Sequence, residues 1–257
     1  MVQKVIDNIR NFKKWLGNSK WRQIGFAVLV IILILILSFL GWALNPRGPM
    51  DEAREALDSD DEVEVIEDDK YVFEPKDDEV NTGFILYPGA RVDPRSYAPL
   101  AREIAREGFL VVIEPMRLNL AIFSSDAAKE TMTEFQDIEN WVIGGHSLGG
   151  AMASRFVRNE GADGLILWAS YPDDDISHLD IPVISIYGSE DGLSTVEDVE
   201  NSASELPEGT EWVKIEGGNH AQFGWYGSQR GDNEAEISRE EQQKIIVENT
   251  TAFLKEI

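Results

Sequence analysis

The stretch Gly145-His146-Ser147-Leu148-Gly149 limits the folds open to this chain more than any other feature of its sequence. A serine between two glycines at this spacing is typical of a strained turn from a strand into a helix, which leaves the hydroxyl exposed. Apolar, β-prone residues at 141–143 precede the motif, and residues 151–157 after it have the character of a helix. The sequence therefore predicts a strand–turn–helix unit with Ser147 at the turn.

Strand-like and helix-like segments alternate through most of the remaining chain. Apolar runs predict strands at residues 63–66, 71–73, 83–87, 109–113, 141–144, 165–169, 183–187 and 211–215. Helices are predicted at residues 96–107, 127–135, 195–205 and 238–255. The last helix has a predicted capping box at Ser238 and Glu241 and a predicted inner face of Ile245, Ile246, Asn249, Ala252 and Phe253. This alternation predicts an α/β domain over residues 62–257, with a mostly parallel sheet flanked by helices.

An uncharged segment of 21 residues, 24–44, lies near the N-terminus. At about 1.5 Å per residue it matches a hydrocarbon core of about 30 Å, which predicts one transmembrane helix. A cleaved signal peptide is the alternative, although its apolar region normally runs only about 7–15 residues. Residues 1–23 carry a net charge of +5, which predicts a cytoplasmic leader and a main domain on the outer side. The leader is either an amphipathic helix on the inner membrane face or a solvated basic flank.

The rest of the chain is strongly acidic. Residues 24–257 carry a net charge of −29, because the leader contributes +5 to the total of −24. Such a surface repels nucleic acid and anionic lipid head groups, so neither is an expected partner. The acidic residues 45–61 are predicted to form a solvated stalk with room for one short helix. Because the other carboxylates are dispersed, we interpret the wider acidity as an adaptation to high salt.

Two further polar residues fall directly after predicted strands. Asp191 follows the strand at 183–187, and His220 follows the strand at 211–215. The carboxyl ends of parallel strands collect at one edge of a sheet, so both side chains are expected near Ser147. The chain order of serine, acid and histidine is that of a hydrolytic triad on such a sheet. Glu190 and, less favourably, Asp198 stay open as the acid.

With these residues the chain resembles the α/β-hydrolase superfamily, most closely its small fold-5 type. The resemblance is carried by YPGARVDPRSY at 87–97, GGHSLGGA at 144–151 and GNHAQFG at 218–224, and it covers roughly residues 62–257. It implies an uncapped or lightly capped hydrolase related to dienelactone hydrolases and simple esterases. Dienelactone hydrolases use a cysteine nucleophile, whereas this chain has no cysteine. Ser147 therefore departs from that enzyme and argues against its substrate.

The motif and the resemblance together assign a role to each site residue. Ser147 is expected to be the nucleophile, His220 the general base and Asp191 the acid that orients the imidazole. The backbone N–H groups of Leu148 and Ala90 are expected to form the oxyanion hole, since Pro88-Gly89-Ala90 stands in place of the superfamily's His-Gly-X loop. No metal, cofactor or protein partner is expected.

The sequence therefore predicts a membrane-anchored, externally facing serine hydrolase that acts on small carboxylic esters or lactones. An acyltransferase that uses the same triad is one alternative, and a non-catalytic binding domain of the same fold is the other. The first differs from a hydrolase in excluding water from the acyl-enzyme, and the second in having no turnover.

Several residues near the motifs allow two interpretations. His146 is predicted to be structural, and Glu114 is predicted to end a strand without facing the site. The aromatic loop at 223–227 either closes the acyl pocket as a mobile flap or packs against the domain. Arg91 and Arg95 either attract a carboxylate-bearing substrate or are solvated surface groups.

Overall fold

The computed structural model describes residues 2–17, 19–76 and 80–257. The chain divides into two compact units, Met1–Asn45 and Pro46–Ile257. The first unit contains helix α1, Val2–Gly17, and helix α2, Lys20–Ala43. By length and composition, α2 is long and apolar enough to cross a membrane, and it begins four residues before the predicted span. Several leader side chains that would distinguish an amphipathic from a solvated leader lie outside the described residues.

A mostly parallel sheet organises the unit Pro46–Ile257. Its strands are β1 (Val63–Glu67), β2 (Tyr71–Pro75), β3 (Thr82–Tyr87), β4 (Leu110–Ile113), β5 (Asn140–His146), β6 (Gly164–Trp168), β7 (Val183–Gly188) and β8 (Glu211–Ile215). Within the described residues they lie in the order β1-β2-β4-β3-β5-β6-β7-β8. The pairs β1–β2 and β2–β4 are antiparallel, whereas every pair from β4 to β8 is parallel. The predicted fold class is therefore confirmed.

Helices cover both faces of this sheet. They are α3 (Asp51–Glu55), α4 (Ala98–Arg106), α5 (Ala128–Glu134), α6 (Leu148–Glu160), α7 (Val196–Asn201) and α8 (Arg239–Leu254). Successive residues of a strand point to opposite faces, so Phe84 and Leu86 of β3 belong to one core while Ile85 and Tyr87 belong to the other. The first core packs against α4 and α8, and the second against α5 and α6. Burial on both faces explains why these strands are continuous apolar runs.

The segment predicted to be a solvated acidic stalk packs instead on the α/β domain. Apart from its first residue, it belongs to the compact unit Pro46–Ile257. The Arg47 N–H donates to the Arg91 carbonyl at 2.7 Å, and Ala53 of α3 is fully buried. The stalk prediction is wrong because composition reports only the charge of this segment. Backbone hydrogen bonds and ion pairs to distant residues hold it in place.

Asp60 makes the most extensive of these attachments. Its carboxylate accepts hydrogen bonds from the N–H groups of Glu62 (2.9 Å) and Val63 (2.8 Å), where β1 begins. It also forms ion pairs with Arg102 and Arg106 of α4. The Val63 and Glu62 amides and these two guanidinium groups hold the pKa of Asp60 well below its ordinary value, although burial opposes the shift. The ionised carboxylate therefore ties the start of the sheet to α4.

Replacing Asp60 with asparagine is expected to lower the free energy of unfolding by about 2 kcal/mol at neutral pH, because the charged hydrogen bonds are lost. The folded-state pKa lies below the unfolded value of 3.8, so the stabilisation is present above that value and is lost as pH falls through the folded pKa. The difference between wild type and Asp60→Asn should thus be constant from neutral pH to about pH 5 and shrink below about pH 4. Urea unfolding of both proteins at each pH measures this difference in the free energy of unfolding. Asp58→Asn, at an exposed carboxylate nearby, is the control, and an equal loss there would contradict the assignment.

Candidate active site

Ser147 occupies a sharp turn between β5 and α6. Its backbone angles are φ 54° and ψ −125°, a region that residues with a side chain rarely adopt. The Ser147 N–H donates to the Trp168 carbonyl at 2.9 Å, and the Ser170 hydroxyl donates to the Ser147 carbonyl at 2.7 Å. Both peptide groups of the strained residue are therefore held by the neighbouring strand β6 and the loop after it. The predicted strand–turn–helix is confirmed.

The two glycines of the motif allow close backbone approaches that a side chain would block. A Cβ atom on Gly145 would lie 2.4 Å from the carbonyl carbon of Gly149. A Cβ atom on Gly149 would lie 2.0 Å from the carbonyl oxygen of Tyr87, at the end of β3. The spacing of the motif thus follows from the tight passage of α6 against β5 and β3.

Asp191 and His220 meet beyond the carboxyl ends of β7 and β8. His220 Nδ1 lies 2.8 Å from Asp191 Oδ2, and both side chains are buried. The other carboxylate oxygen of Asp191 accepts hydrogen bonds from the N–H groups of Leu193 and Ser194, each at 2.7 Å. The carboxylate is therefore fixed by its own loop before it contacts the imidazole.

The other two acids considered from the sequence have different partners. Glu190 accepts a hydrogen bond from the Ser189 hydroxyl at 3.1 Å. Asp198 accepts one from the Thr195 hydroxyl at 2.6 Å and completes a capping box at the start of α7. Of the three carboxylates, Asp191 alone contacts His220 in the described part of the chain.

The second ring nitrogen of His220 is available for proton transfer. His220 Nε2 is buried and has no hydrogen-bond partner among the described residues. The Ser147 hydroxyl therefore does not donate to it in this structure. The imidazole nevertheless lies beside the turn, because its ring centroid is 4.5 Å from that of His146, the residue directly before Ser147.

The two backbone N–H groups predicted for the oxyanion hole, those of Leu148 and Ala90, have no acceptor among the described residues. Leu148 is the first residue of α6, where an amide has no partner within its own helix. In the loop after β3, the Gly89 N–H donates to the Tyr97 hydroxyl and the Arg91 N–H to the Asn119 carbonyl, whereas the Ala90 N–H between them donates to no described group. Both amides are therefore without a protein acceptor, and their role in an oxyanion hole stays a prediction.

A cleft of about 360 Å³ opens beside Ser147 and Leu148. Met152, Tyr171 and Leu193 contribute to its wall, and Asp173 lies at its edge. The Asp173 carboxylate is bound by the Arg155 guanidinium at 2.6 Å. The lining residues therefore include apolar side chains and one already neutralised acid, without a lysine or arginine.

Two residues that position the histidine loop were not predicted. The Asp232 carboxylate accepts hydrogen bonds from the N–H groups of Gly192 (3.1 Å), His220 (3.3 Å) and Ala221 (2.8 Å). It thereby joins the loop that carries the acid to the loop that carries the histidine. Asp232 lies in an acidic loop, and nothing in the sequence pattern distinguishes it from other solvated carboxylates.

Gln242 of α8 is the second of these residues. Its amide accepts from the Asn219 N–H at 3.0 Å and donates to the Asn219 carbonyl at 2.8 Å. The predicted inner face of α8 is accordingly wrong in part, because Gln242 is buried while Ala252 is exposed. Apolar periodicity overlooks glutamine, although here a polar side chain is buried to hold the residue before His220.

The aromatic loop after His220 is packed and does not stand free as a flap. Phe223 is fully buried, and Trp225 and Tyr226 are nearly so. The Trp225 indole N–H donates to Gln243 of α8 at 2.8 Å. The structure therefore favours the second interpretation of this loop, in which it packs against the domain.

The remaining ambiguous side chains also have structural partners. Glu114 accepts a hydrogen bond from the Thr131 hydroxyl, and burial raises the pKa of its carboxyl. It lies in a cleft apart from the one beside Ser147. Arg95 forms an ion pair with Asp93 at 2.7 Å, so its charge is already balanced. Among the described residues, no group of three or more His, Asp or Glu side chains is placed to hold a metal ion.

Comparison with known proteins agrees with this architecture. The model of the alpha/beta hydrolase family matches residues 83–244, which is more than half of the chain. The protein therefore belongs to the alpha/beta hydrolase family, and the resemblance inferred from the sequence is confirmed. A crystal structure of TT1662 from Thermus thermophilus matches with a TM-score of 0.56 and 14% identity, over 76% of this chain and 97% of that one. At this identity the likeness shows the fold alone. No curated protein matches the sequence.

Proposed function

We propose that this protein is a serine hydrolase that cleaves small carboxylic esters or lactones through an acyl-enzyme on Ser147. Membership of the alpha/beta hydrolase family supports a hydrolytic activity. The observation that carries the finer proposal is the buried Asp191–His220 pair, whose imidazole has an unpaired Nε2 and lies next to the ring of His146, the residue before Ser147. A binding domain without turnover would have no need of such a pair.

The reaction follows from this arrangement. As Ser147 Oγ bonds to the acyl carbon, its proton passes to His220 Nε2, and Asp191 stabilises the resulting imidazolium through Nδ1–H. The oxyanion accepts hydrogen bonds from the N–H groups of Leu148 and Ala90. The carbon–oxygen bond to the leaving alkoxide then breaks, and His220 returns the proton to it. Water attacks the acyl-enzyme by the same sequence of proton transfers and releases the acid.

The cleft beside Ser147 supports an uncharged, short acyl group as the substrate class. Its volume of about 360 Å³ lies at the lower end of small-molecule sites. A carboxylate on the acyl chain would approach Asp173 with no lysine or arginine among the lining residues to offset it. Arg95, once a candidate for attracting such a substrate, is paired with Asp93.

Helix α2 supports a second element of the proposal, namely retention at a membrane. Its length and apolar composition suit a single span, and the basic leader places the N-terminus on the cytoplasmic side by the positive-inside rule. The hydrolase domain would then lie on the outer side. Its net negative charge supports function in high salt, where repulsion between carboxylates is screened.

Labelling of the full chain with a fluorophosphonate, which an activated serine attacks with loss of fluoride, tests the proposal. Membranes that contain the protein are washed in carbonate and treated with the probe in dilute buffer and in multimolar salt. We expect a labelled band in the washed membranes, faster labelling in high salt, and no labelling of Ser147→Ala or His220→Ala. Ser177→Ala is the control, since the Ser177 hydroxyl lies on an exposed loop and donates to the Asp175 carboxylate at 2.6 Å.

Each result bears on a different element of the proposal. Absence of labelling in folded protein at either salt level would contradict the hydrolase and favour a binding domain. Release of the protein by carbonate would contradict membrane anchorage. Fastest labelling in dilute buffer would contradict the adaptation to high salt.

A further inference from the structure

A buried tyrosine and a buried histidine connect the two sides of the candidate oxyanion hole. The Tyr97 hydroxyl accepts a hydrogen bond from the Gly89 N–H at 2.9 Å and lies 2.8 Å from His146 Nδ1. Gly89 directly precedes Ala90 in the loop after β3, and His146 directly precedes Ser147 at the end of β5. One phenol oxygen therefore contacts the residue before the loop donor and the residue before the nucleophile.

The direction of the Tyr97–His146 hydrogen bond depends on the tautomer of His146. The Tyr97 hydroxyl has a single proton, and it is already the acceptor for the Gly89 N–H. A neutral His146 whose proton is on Nε2 leaves Nδ1 as the acceptor for the Tyr97 hydroxyl proton. Burial, together with the nearby imidazole of His220, holds the pKa of His146 well below its ordinary value, consistent with a neutral ring.

The loop is closely packed against this pair. A Cβ atom on Gly89 would lie 2.7 Å from His146 Nδ1 and 3.1 Å from the Tyr97 hydroxyl. Both side chains are almost completely buried, and the His146 ring is stacked on Phe223 with an interplanar angle of 10°. The backbone of Gly89 thus has little freedom to rotate while the tyrosine–histidine hydrogen bond is intact.

We propose that Tyr97 and His146 form a positioning unit that orients the Gly89–Ala90 peptide, so that the Ala90 N–H meets the developing oxyanion. The inference rests on the proposed hydrolase function. The Gly89 N–H is held on Tyr97, whereas the next amide, that of Ala90, has no acceptor among the described residues. Such preorganised donors stabilise the transition state more than the bound substrate.

The neutral state of His146 has a second consequence for the site. Its ring centroid is 4.5 Å from that of His220, the ring that becomes positively charged during the reaction. A charged imidazole at this distance would oppose that step, since like charges disfavour each other's ionisation. The other titratable groups against His146 are Tyr97 and Tyr226, and burial raises the pKa of both phenols. Burial and the neighbouring imidazole of His220 thus favour the neutral form of His146, which permits His220 to accept its proton.

Tyr97→Phe tests the positioning role in the full chain, with hydrolysis of a short-chain ester as the assay. Removal of one oxyanion donor typically lowers kcat by about 100- to 1000-fold, so a donor that is merely misoriented should lower it by about 10- to 100-fold. KM is expected to change by less than about twofold, because the ground state does not use the donor. The affinity for a trifluoromethyl ketone, which forms a tetrahedral oxyanion on the serine, should fall by the same factor as kcat/KM.

Tyr87→Phe is a matched control for the loss of a buried phenol. The Tyr87 hydroxyl also accepts from one backbone N–H, that of Ala128 at 2.9 Å, and donates to one acceptor, the Ser125 carbonyl at 3.2 Å. Its ring belongs to the other core of the domain. We expect its effect on kcat and on inhibitor affinity to be less than about twofold.

A second pair of variants addresses the histidine. His146→Leu removes the acceptor for the Tyr97 hydroxyl, whereas His146→Gln offers a side-chain oxygen in its place. We expect His146→Leu to lower kcat by the same factor as Tyr97→Phe, and His146→Gln to retain most of the wild-type kcat. The double variant, Tyr97→Phe with His146→Leu, should lose no more kcat than either single variant, because both changes break the same hydrogen bond.

The outcomes separate this inference from the proposed function. If the wild type hydrolyses esters but Tyr97→Phe retains its kcat and its affinity for the ketone, the positioning role is wrong and the hydrolase stands. Equal losses in Tyr97→Phe and Tyr87→Phe would show general destabilisation and would likewise overturn it. Absence of turnover and labelling in the wild type would overturn both.

Discussion

Replacing Ser147 with alanine is expected to lower kcat for a short-chain ester by about 10⁵- to 10⁶-fold, the loss typical of removing the nucleophile from a serine–histidine–acid triad. The turn residue has φ 54°, and both of its peptide groups are bound to β6 and the loop after it, so the backbone of the variant should keep its geometry. The change therefore removes the attacking oxygen and leaves its surroundings in place.

A residual rate should persist in this variant. The free N–H groups of Leu148 and Ala90 and the cleft still bind the substrate, and such groups alone retain about 10³- to 10⁴-fold catalysis over water in related triads. Steady-state hydrolysis by the full chain in detergent measures the loss of kcat and the residual rate. An active-site titration excludes contamination by traces of the wild-type enzyme. Loss of activity by less than about tenfold would show that Ser147 is not the nucleophile.

Asp191→Asn is expected to lower kcat by about 10⁴-fold while the fold is retained. The oxygen of the asparagine must accept the two hydrogen bonds from the Leu193 and Ser194 amides, each at 2.7 Å, which turns its NH₂ group toward His220. That group donates to Nδ1 and forces the ring proton onto Nε2. The nitrogen that should take the serine proton is then already protonated, so the base is disabled by its tautomer.

Two neighbouring acids provide matched controls for the loss of one negative charge. Glu190→Gln changes the adjacent residue, whose carboxylate contacts Ser189, and Asp198→Asn changes the capping box of α7. We expect Glu190→Gln to change kcat by less than about twofold, and Asp198→Asn to cost about 1 kcal/mol of stability without a comparable loss of rate. A loss in either control as large as that of Asp191→Asn would show that the wrong acid has been assigned.

The elements that the sequence predicts best are those whose signal is local. Strand β8 is observed at its predicted residues, Glu211–Ile215, because the β-prone residues Trp212, Val213 and Ile215, bounded by turn residues, are sufficient to define it. The predicted helix at 195–205 is instead α7 followed by a short 3-10 turn, Ser202–Glu205. The Ser202 hydroxyl donates back to the Val199 carbonyl at 2.7 Å, and such local bonds compete with regular helix.

For the candidate site, the sequence predicted which residues follow the ends of strands and so lie at one edge of the sheet. The motif at Ser147 and the positions of Asp191 and His220 after β7 and β8 follow from strand prediction and chain order, while their catalytic roles stay predictions. The contributions of Asp232 and Gln242 were not predictable, since each is a polar residue in a sequence rich in polar residues. Their importance lies in the backbone groups they bind in the folded chain.

By itself, the sequence determined the fold class, the apolar N-terminal helix and the turn at Ser147, because hydrophobic periodicity, segment length and glycine spacing act between near neighbours. Only the tertiary structure decided which polar groups meet. The bonds from Asp60 to Arg102, from Asp191 to His220 and from Tyr97 to His146 join residues 42, 29 and 49 positions apart. A hydrogen bond depends on tenths of an ångström and on direction, and these are set only when the sheet, helices and loops have packed together.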